Sequence, residues 1–404
     1  MRKKLLTNGN VFKRTDGRWG GVVWYMDEQG ERKRKSFSGT TKQETNKKIT
    51  AYIAEFENQV EESDESKKLI KDSIQNWLVV FKFPSVEQTT YDRCECTAIN
   101  QVYPILGDKV VGDIVAADIK NLLNHWMNKG LSFSTVKKVY VLLNEYFRTM
   151  YLEEMISKNP MDNVEMIKKA NFLSAQGKEM LPKCEMVTVF SPDEIRKFKE
   201  EAYATYSNGE RKHQQASAYI LMLNTGLRPG EALGLKNSDI ELDKKQLHIQ
   251  NSVKEIYKRE GTKAIGGRKS KIGKTKTLTS KRTVPLNDAA IKAINELREE
   301  YYFGEDAPLI CDENGNYTKP VNFRKRFYRI LKDANIETKG LHSLRHTFAT
   351  NLVNGVKQAD GTIKALSPKQ VADILGHTTS QITEMYYVKK DNSRLTGITD
   401  GFEI

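Results

Sequence analysis

The sequence predicts a multidomain protein that is mainly α with small β elements. An N-terminal three-stranded β-sheet plus helix precedes a helical-bundle domain and a mixed α+β domain. Near the N-terminus, the alternation of Val22, Trp24 and Met26 with Val23 and Tyr25 marks a strand. Apolar stripes at helical spacing fill residues 66–166, and from Ser191 onward capped helices alternate with short strands. A chain of 404 residues has room for two or three such domains.

The N-terminal module is assigned to residues 1–58. Two strands are predicted within GRWGGVVWYMDEQGERKRKSFSG (17–39), with a turn from Asp27 to Gly30, and NVFKR upstream predicts a third. Thr41, with Glu44 three residues later, predicts a capping box that starts the helix. The hairpin carries a run of four basic residues, which is either a solvated turn or a contact for a polyanion: Arg32, Lys33, Arg34 and Lys35.

Residues 66–166 are predicted to be all helix. Ile74, Trp77, Leu78 and Phe81 form one apolar stripe, and three further helices follow, the first of them ending near Pro104. Polar or weakly periodic segments at 57–67 and 167–188 are predicted linkers. These helices by themselves indicate only a helical bundle.

The third domain is assigned to residues 185–404. Helices are predicted over SPDEIRKFKEEA, QQASAYILMLNTG and NDAAIKAINELREEY, the last capped by Asn287 or Asp288. KQLHIQNS and TSKRTVPL predict strands, and helices with few strands fill the rest of the domain.

The charge balance narrows the class of partner. With 65 basic and 52 acidic residues the formal charge is +13, which favours nucleic acid first and an anionic membrane second. A basic protein without such a partner is the alternative. No apolar run approaches the roughly 18 residues of a membrane helix, so we expect no membrane partner. The four scattered cysteines are typical of a reducing cytosol, and we expect a cytoplasmic protein.

Four stretches in the second half carry candidate chemistry. NTGLRPGEALGLKNSDI (224–240) places Arg228 in a turn with Glu231 three residues later, either a rigid bidentate donor or an ordinary salt bridge. Residues 254–282 hold eleven basic and two acidic residues, which suits a grip on a phosphate backbone. GLHSLRHTFATNL (340–352) and LGHTTSQITEMYYV (375–388) contain closely spaced histidines, arginine and tyrosine.

His342 and His346 have the spacing of a helical pair of metal ligands. A zinc protease with this spacing would need glutamate directly after the first histidine, where this chain has Ser343. No third ligand suggests itself, so we expect no metal and no other cofactor.

Taken in order, TGLRPGEAL, KT before KRTVPL, HSLRHTFAT and LGH with a later tyrosine resemble the tyrosine recombinase (integrase) family. The resemblance covers about residues 190–390, so that residues 185–404 resemble the catalytic domain with its C-terminal tail. GLSFSTVKKVYVLLNEYF and ISKNP resemble the core-type DNA-binding domain, and residues 1–58 resemble the arm-type DNA-binding domain of phage and conjugative-transposon integrases.

The resemblance implies a role for each matching residue. Arg228 and Arg345 would hold one DNA phosphate with His342 beside them, and Lys276 would protonate the leaving 5′ oxygen. His377 would hydrogen-bond the phosphate and Tyr386, nine residues later, would attack it. Glu231 and His346 would support these groups from behind. We expect further DNA contacts from a basic set around the hairpin: Lys269, Lys271, Lys274, Lys281 and Arg282.

The same roles fit the chemistry of a phosphodiester. Fixed cations stabilise the charge that develops on the phosphate oxygens, the phenol must lose a proton, and the alkoxide needs a general acid. Two assignments remain open. Tyr386 and Tyr387 are adjacent and only one can reach the phosphate, with the spacing from His377 favouring Tyr386. Lys276 competes with Lys274 and Lys281, because a hairpin register slips easily.

The resemblance also implies partners and an activity. We expect double-stranded DNA with core and arm sites, a homo-tetramer on DNA whose C-terminal tail docks on a neighbour, a possible excisionase-type directionality factor and association with a bacterial nucleoid. The expected activity is integration and excision of a mobile element. The alternatives are a type IB topoisomerase-like enzyme, a non-catalytic DNA-binding regulator and a metal nuclease sensitive to EDTA.

Overall fold

In a computed structural model of the chain, the described residues are 4–27, 29–59, 65–274, 281–357 and 360–388. The chain forms two compact units. The first comprises Met1–Pro84 with Cys94–Phe172, and the second comprises Ser85–Arg93 with Leu173–Ile404. None of the described helices combines the length and the hydropathy that a bilayer span requires.

The first unit begins with a four-stranded antiparallel sheet, one strand more than predicted: β1 (Lys4–Leu5), β2 (Asn10–Lys13), β3 (Trp19–Met26) and β4 (Arg32–Gly39). Both β1 and β2 pair with β3 along one edge, and β4 pairs with the other edge. The extra strand is the two-residue β1, which is too short to show an alternating pattern.

Helix α1 (Lys42–Gln59) packs on one face of this sheet. The predicted capping box forms, since Thr41 Oγ1 accepts from the Glu44 amide at 3.1 Å and the Glu44 carboxylate accepts from the Thr40 amide at 2.8 Å. Tyr25 of β3 lies 5.3 Å from Phe56 of α1, measured between ring centroids. Aromatic contacts of this kind bury the helix-facing side of the sheet.

The rest of the first unit is helical: α2 (Ile70–Trp77), the end of α3 (Gln88–Thr97), α4 (Tyr103–Leu106), α5 (Ala116–Asn128), α6 (Phe133–Leu152) and the start of α7 (Lys169–Ala175). Trp77 and Tyr146 meet edge to face in its core, where the Tyr146 hydroxyl lies 2.6 Å from Ser73 Oγ. The helical run that starts with α3 continues through a π-helical segment (Ala98–Val102) into α4 and ends at Leu106, close to the end predicted near Pro104.

The second unit contains the remaining elements. Its helices are α8 (Pro192–Ala202), α9 (Ala216–Thr225), α10 (Pro229–Gly234), α11 (Asp288–Glu300), α12 (Pro320–Asp333), α13 (His342–Asn354), α14 (Pro368–Leu375) and α15 (Ser380–Tyr387). Its strands are β5 (Ile240–Glu241), β6 (Gln246–Ile249), β7 (Asn251–Glu260), β8 (Lys263–Lys274), β9 (Arg282–Pro285), β10 (Val356–Lys357) and β11 (Ile363–Lys364). Strands β5, β6 and β9 form one sheet, whereas β7–β8 and β10–β11 are hairpins.

Helix α9 lies at the centre of this unit and is buried on nearly all sides. Tyr219 packs against Phe323 and Phe327 of α12, and its hydroxyl donates to the Phe323 carbonyl at 2.7 Å. Ile294 of α11 and Leu344 of α13 belong to the same core. This rigid core holds the C-terminal end of α9 next to α13, where the candidate site lies.

Residues 85–93 join the second unit through the β7–β8 hairpin. The Asp92 carboxylate accepts from the Arg259 guanidinium at 2.7 and 3.0 Å and from the Tyr257 amide at 2.9 Å. The guanidinium also stacks 4.6 Å from the centre of the Tyr91 ring. Both charged side chains are almost fully buried, at 4% and 9% exposure, so this ion pair is a fixed part of the unit's core.

Candidate active site

Arg345 lies at the centre of the site and is buried, with 3% exposure. It donates one N–H to the Gly226 carbonyl and another to the Leu375 carbonyl, each at 2.8 Å. Gly226 caps α9 in the left-handed region at φ +65°, and a Cβ there would meet Phe348 at 2.5 Å. The guanidinium is therefore fixed between the ends of α9 and α14 by backbone atoms.

Arg228 reaches the site from the start of α10 and has a carboxylate behind it. Its Nη1 donates to Glu231 Oε1 at 2.6 Å, and its amide donates to Oε2 at 2.9 Å. Arg282 binds both oxygens of the same carboxylate, at 3.1 and 2.9 Å. The Arg228 side chain keeps 36% exposure, whereas Glu231 behind it is buried.

The charged groups of this cluster shift one another's pKa values. Burial alone would raise the pKa of Glu231, but the hydrogen bonds and charge of Arg282, with the charge of Arg228, hold it at about 2. Burial, assisted by the positive charge of Arg228, lowers the pKa of Arg345 to about 9. Arg345 stays protonated at neutral pH, but its charge is poorly solvated and an anion placed beside it would be strongly stabilised.

Three histidines surround the arginines and are neutral at pH 7. Burial and the charges of Arg345 and Arg228 lower the pKa of His342. Burial, together with nearby charged groups, lowers the pKa values of His346 and His377 to about 4. His377 follows the left-handed Gly376 that ends α14, and its Nδ1 lies 2.8 Å from Thr383 Oγ1.

Helix α15 brings one of its two adjacent tyrosines into this cluster. Tyr387 is 4% exposed, its hydroxyl lies 2.9 Å from His346 Nδ1, and its ring lies parallel to that of His377 at 6.3 Å. Tyr386 is half-buried and lies beside Lys183, whose Nζ is 5.5 Å from the ring centre. The structure thus places Tyr387 among the histidines, whereas the assignment of Tyr386 from spacing alone stays a prediction.

A cavity of about 290 Å³ opens beside His342. Its lining includes two exposed residues of α12, Arg324 and Tyr328, as well as Pro229 and Leu341. No sequence motif indicated that α12 lies next to the site. The only hint in the sequence that α12 contributes to the site is that its exposed positions are basic and aromatic.

The predicted general acid and the basic residues predicted to contact DNA lie in several parts of the second unit or outside the described residues. Lys276 lies outside the described residues, as does the side chain of Lys274. Lys269, Lys271 and Lys281 are exposed. Arg282, predicted to contact DNA, has a side chain only 6% exposed and is bound to Glu231 and to the Ile374 carbonyl, so its placement is that of a support for the site.

The predicted run of basic residues lies on β4 and is exposed. Trp24 of β3 carries the Arg32 guanidinium 4.5 Å above its ring and that of Arg34 at 5.9 Å. Lys33 points to the other face and pairs with Asp27, while Lys35 is also exposed. The sheet face opposite α1 is therefore basic and aromatic.

One group of three possible metal ligands occurs among the described residues: Glu201, His213 and Asp333. His342 and His346 do not belong to it, and their ring centroids lie 6.5 Å apart. The carboxylate of Glu201 accepts hydrogen bonds from His213 at 2.8 Å and from Lys212 at 3.4 Å. These hydrogen bonds are sufficient to explain why the three side chains lie together.

Comparison with known proteins gives concordant matches. Residues 189–394 match the model of the phage integrase family. The chain is 28% identical to a protein named tyrosine recombinase XerC-like from Caldanaerobacter subterraneus subsp. tengcongensis, over 96% of this chain and 95% of that one.

Solved structures share the fold. The Tn1549 transposon integrase in complex with a circular intermediate DNA matches with a TM-score of 0.62 and 20% identity, over 83% of this chain and 100% of that one. A lambda integrase tetramer bound to a Holliday junction matches with a TM-score of 0.57 and 17% identity, over 95% and 98% of the two chains.

The fold brings two arginines, neutral histidines and a buried phenol together at one place. Together with the family match, this places the protein in the class of site-specific DNA recombinases. Within that class, the chain belongs to the phage integrase family, which is the family of tyrosine recombinases.

Proposed function

We propose that the protein integrates and excises a mobile DNA element by cutting and rejoining duplex DNA through a 3′-phosphotyrosine intermediate. The observation that carries this proposal is the convergence of Arg345 and Arg228 with a buried phenol. Burial raises the pKa of the Tyr387 hydroxyl, and the charges of Arg345 and Arg228 act in the opposite direction. Cations and a nucleophile at one place are what phosphoryl transfer requires.

Each arginine would stabilise the phosphate in the transition state. Negative charge develops on the non-bridging oxygens, and Arg345 can meet it without reorganising because backbone carbonyls already fix its guanidinium. Arg228 would contribute a second guanidinium that Glu231 orients. His342 and His377, both neutral, would hydrogen-bond the same phosphate.

Departure of the 5′ oxygen needs a general acid, for which we propose Lys276. The phosphotyrosine would conserve the energy of the phosphodiester, and a second DNA end could attack it through its 5′-hydroxyl. Transfer of this kind consumes no nucleotide and needs no bound cofactor. The chemistry is therefore reversible, which suits both integration and excision.

The proposed partner is duplex DNA with core and arm sites, inside a bacterial cell. The net charge of +13 and the exposed basic strands β4 and β8 support this. A homo-tetramer on DNA is proposed because a lambda integrase of similar fold was solved as a tetramer on a Holliday junction. An excisionase-type factor would set the direction of the reaction.

Covalent capture tests the proposal. The protein is incubated with sheared genomic DNA of the strain that carries its gene, denatured in detergent, and the attached DNA is sequenced. We expect adducts enriched at a few sites, unaffected by EDTA and lost in an Arg345→Ala variant that still binds duplex DNA.

The other outcomes identify the alternatives. Cleavage that EDTA abolishes, without adducts, would indicate a metal nuclease. Adducts without site preference, together with relaxation of any supercoiled plasmid, would indicate a type IB topoisomerase-like enzyme. DNA binding without adducts would indicate a regulator.

A further inference from the structure

We propose that Arg282 is a positioning residue that fixes the spacing between the two arginines of the site, Arg228 and Arg345. The inference rests on the proposed function and adds a residue that sets its rate without touching the DNA. It is carried by a hydrogen-bonded chain, in which Arg282 joins the carboxylate behind Arg228 to the end of the helix that holds Arg345.

The first half of this chain runs from Arg282 to Arg228 through one carboxylate. Arg282 on β9 donates to both oxygens of Glu231, at 3.1 and 2.9 Å. Glu231 also accepts from the Arg228 side chain at 2.6 Å and from the Arg228 amide at 2.9 Å. The side chains of Arg282 and Glu231 are only 6% and 4% exposed. Because both oxygens are bound, the carboxylate cannot rotate without breaking a contact to one of the two arginines.

The second half of the chain runs from Arg282 to Arg345 through the last turn of α14. Arg282 Nε donates to the Ile374 carbonyl at 2.7 Å. The next carbonyl along the backbone, that of Leu375, accepts from Arg345 at 2.8 Å. The last carbonyls of a helix have no partner within it, so these two are free to accept from side chains. Two arginines are therefore bound to consecutive peptide groups of one helix end.

Arg228 and Arg345 need such a connection because they carry the same charge. Burial, together with the charge of Arg228, lowers the pKa of Arg345 to about 9, which shows that the two cations disfavour each other. Like charges separate unless the structure between them is rigid. Groups that are already in place stabilise a transition state because no free energy is spent on moving them. Arg282 would supply that rigidity before the phosphate arrives.

The surroundings of Arg282 favour this role over a direct contact with DNA. Nε, Nη1 and Nη2 of its guanidinium each donate to a group within the second unit. Lys281, one residue earlier, is exposed, whereas the Arg282 side chain is not. Lysine at position 282 would keep the charge, but a single ammonium group cannot reproduce the planar fork that binds two carboxylate oxygens and a carbonyl together.

The rate of adduct formation tests the role, on a duplex whose sequence comes from the covalent capture. We expect Arg282→Lys to slow single-turnover adduct formation roughly 10²-fold, with affinity for the duplex within about threefold. Arg298→Lys is the matched control, because Arg298 also donates to a side chain and to a carbonyl, both of Asn237. Its rate should stay within about threefold of that of the unmodified protein. An unchanged rate in Arg282→Lys would overturn the inference, and so would a loss of affinity as large as the loss of rate.

An uncharged substrate separates positioning from a general loss of folded protein. In this duplex a methyl group replaces one non-bridging oxygen of the scissile phosphate, so the group that the arginines would contact is neutral. We expect Arg282→Lys to lose less than about tenfold on it, relative to the unmodified protein on the same substrate. The ratio of the two losses does not depend on how much of the variant is folded. Equal losses on both substrates would show that Arg282 only maintains the fold, which would overturn the inference.

A double variant tests whether Arg282 acts through Glu231. Glu231→Gln keeps the size of the side chain and removes its charge. Because the two residues would act as one unit, Arg282→Lys should slow the Glu231→Gln variant much less than it slows the unmodified protein. A double variant whose loss equals the product of the two single losses would overturn the inference and leave the proposed function intact. No adduct in the unmodified protein would overturn both.

Discussion

Basic side chains in the second unit occupy two contrasting environments. Arg345 and Arg282 are buried and hydrogen-bonded to backbone carbonyls, whereas Lys269 and Lys271 on β8 are exposed. The buried pair lies near a carboxylate and three neutral histidines, while the exposed pair lies on a hairpin with few acids. The comparison shows that side chains of equal charge serve different purposes. The fixed, poorly solvated arginines can stabilise the negative charge of one particular transition state, whereas the solvated lysines attract any polyanion.

Replacement of Arg345 by lysine should have the largest effect on activity. Lysine keeps the charge but cannot donate to both backbone carbonyls while also contacting a phosphate. We expect Arg345→Lys to slow adduct formation roughly 10²- to 10³-fold, as loss of a fixed transition-state donor does. Single-turnover assays measure this, and affinity for the duplex should stay within a few-fold. A rate close to that of the unmodified protein would show that charge alone suffices.

Loss of the buried carboxylate should have the largest effect on stability. Glu231→Ala leaves Arg282 buried without its counter-ion and Arg228 without its support. We expect a loss of about 3–5 kcal/mol in the free energy of unfolding, the usual cost of breaking a buried pair. Denaturant titration measures it, and Glu200→Ala, which breaks an exposed pair with Arg196, is the control with little expected change.

Mild acid should destabilise the second unit through His346 and His377. Their pKa values fall from 6.5 to about 4 on folding, so the unfolded chain binds more protons between these limits. Their contribution to stability is complete above pH 6.5 and is lost as the pH falls toward 4, by up to about 1.4 kcal/mol per pH unit for each histidine. Unfolding at several pH values should show a shallower dependence in His346→Gln.

Removal of exposed charge should have the smallest effect. Combining Lys269→Ala with Lys271→Ala should weaken binding to a random duplex and reduce the slope of log affinity against log salt by up to about 1.8, or roughly 0.9 per phosphate contact. Cleavage of bound DNA should be unchanged. Fluorescence anisotropy measures the slope, and the pair Lys244→Ala with Lys245→Ala, whose lysines contact acids, is the control.

Features that depend on a few neighbouring residues were predictable from the sequence. Thr41 with Glu44 and the cap of α11 at Asn287 form as their local patterns indicate. The turn that carries Arg228 and places Glu231 behind it also follows from its own short segment. Each of these contacts depends on residues within one turn of helix.

Features that depend on packing were not predictable. The side of α15 that packs inward, marked by the buried Thr383 and Tyr387, is known only once the helix is packed. The sequence predicts Arg282 as a DNA-contacting surface cation because it lies among other basic residues. Its alternation with the fully buried Val284 along β9 was the available signal that it points inward.

The ion pair between Asp92 and Arg259 bears on how this protein can be divided for experiments. A fragment that begins at residue 185 would retain Arg259 and lose the aspartate that neutralises it, together with the Tyr91 ring that covers it. Such a fragment would keep this arginine without its counter-ion, a defect that typically costs about 3–5 kcal/mol when the pair is buried. A start before Ser85, or an uncharged side chain in place of Arg259, would avoid that defect.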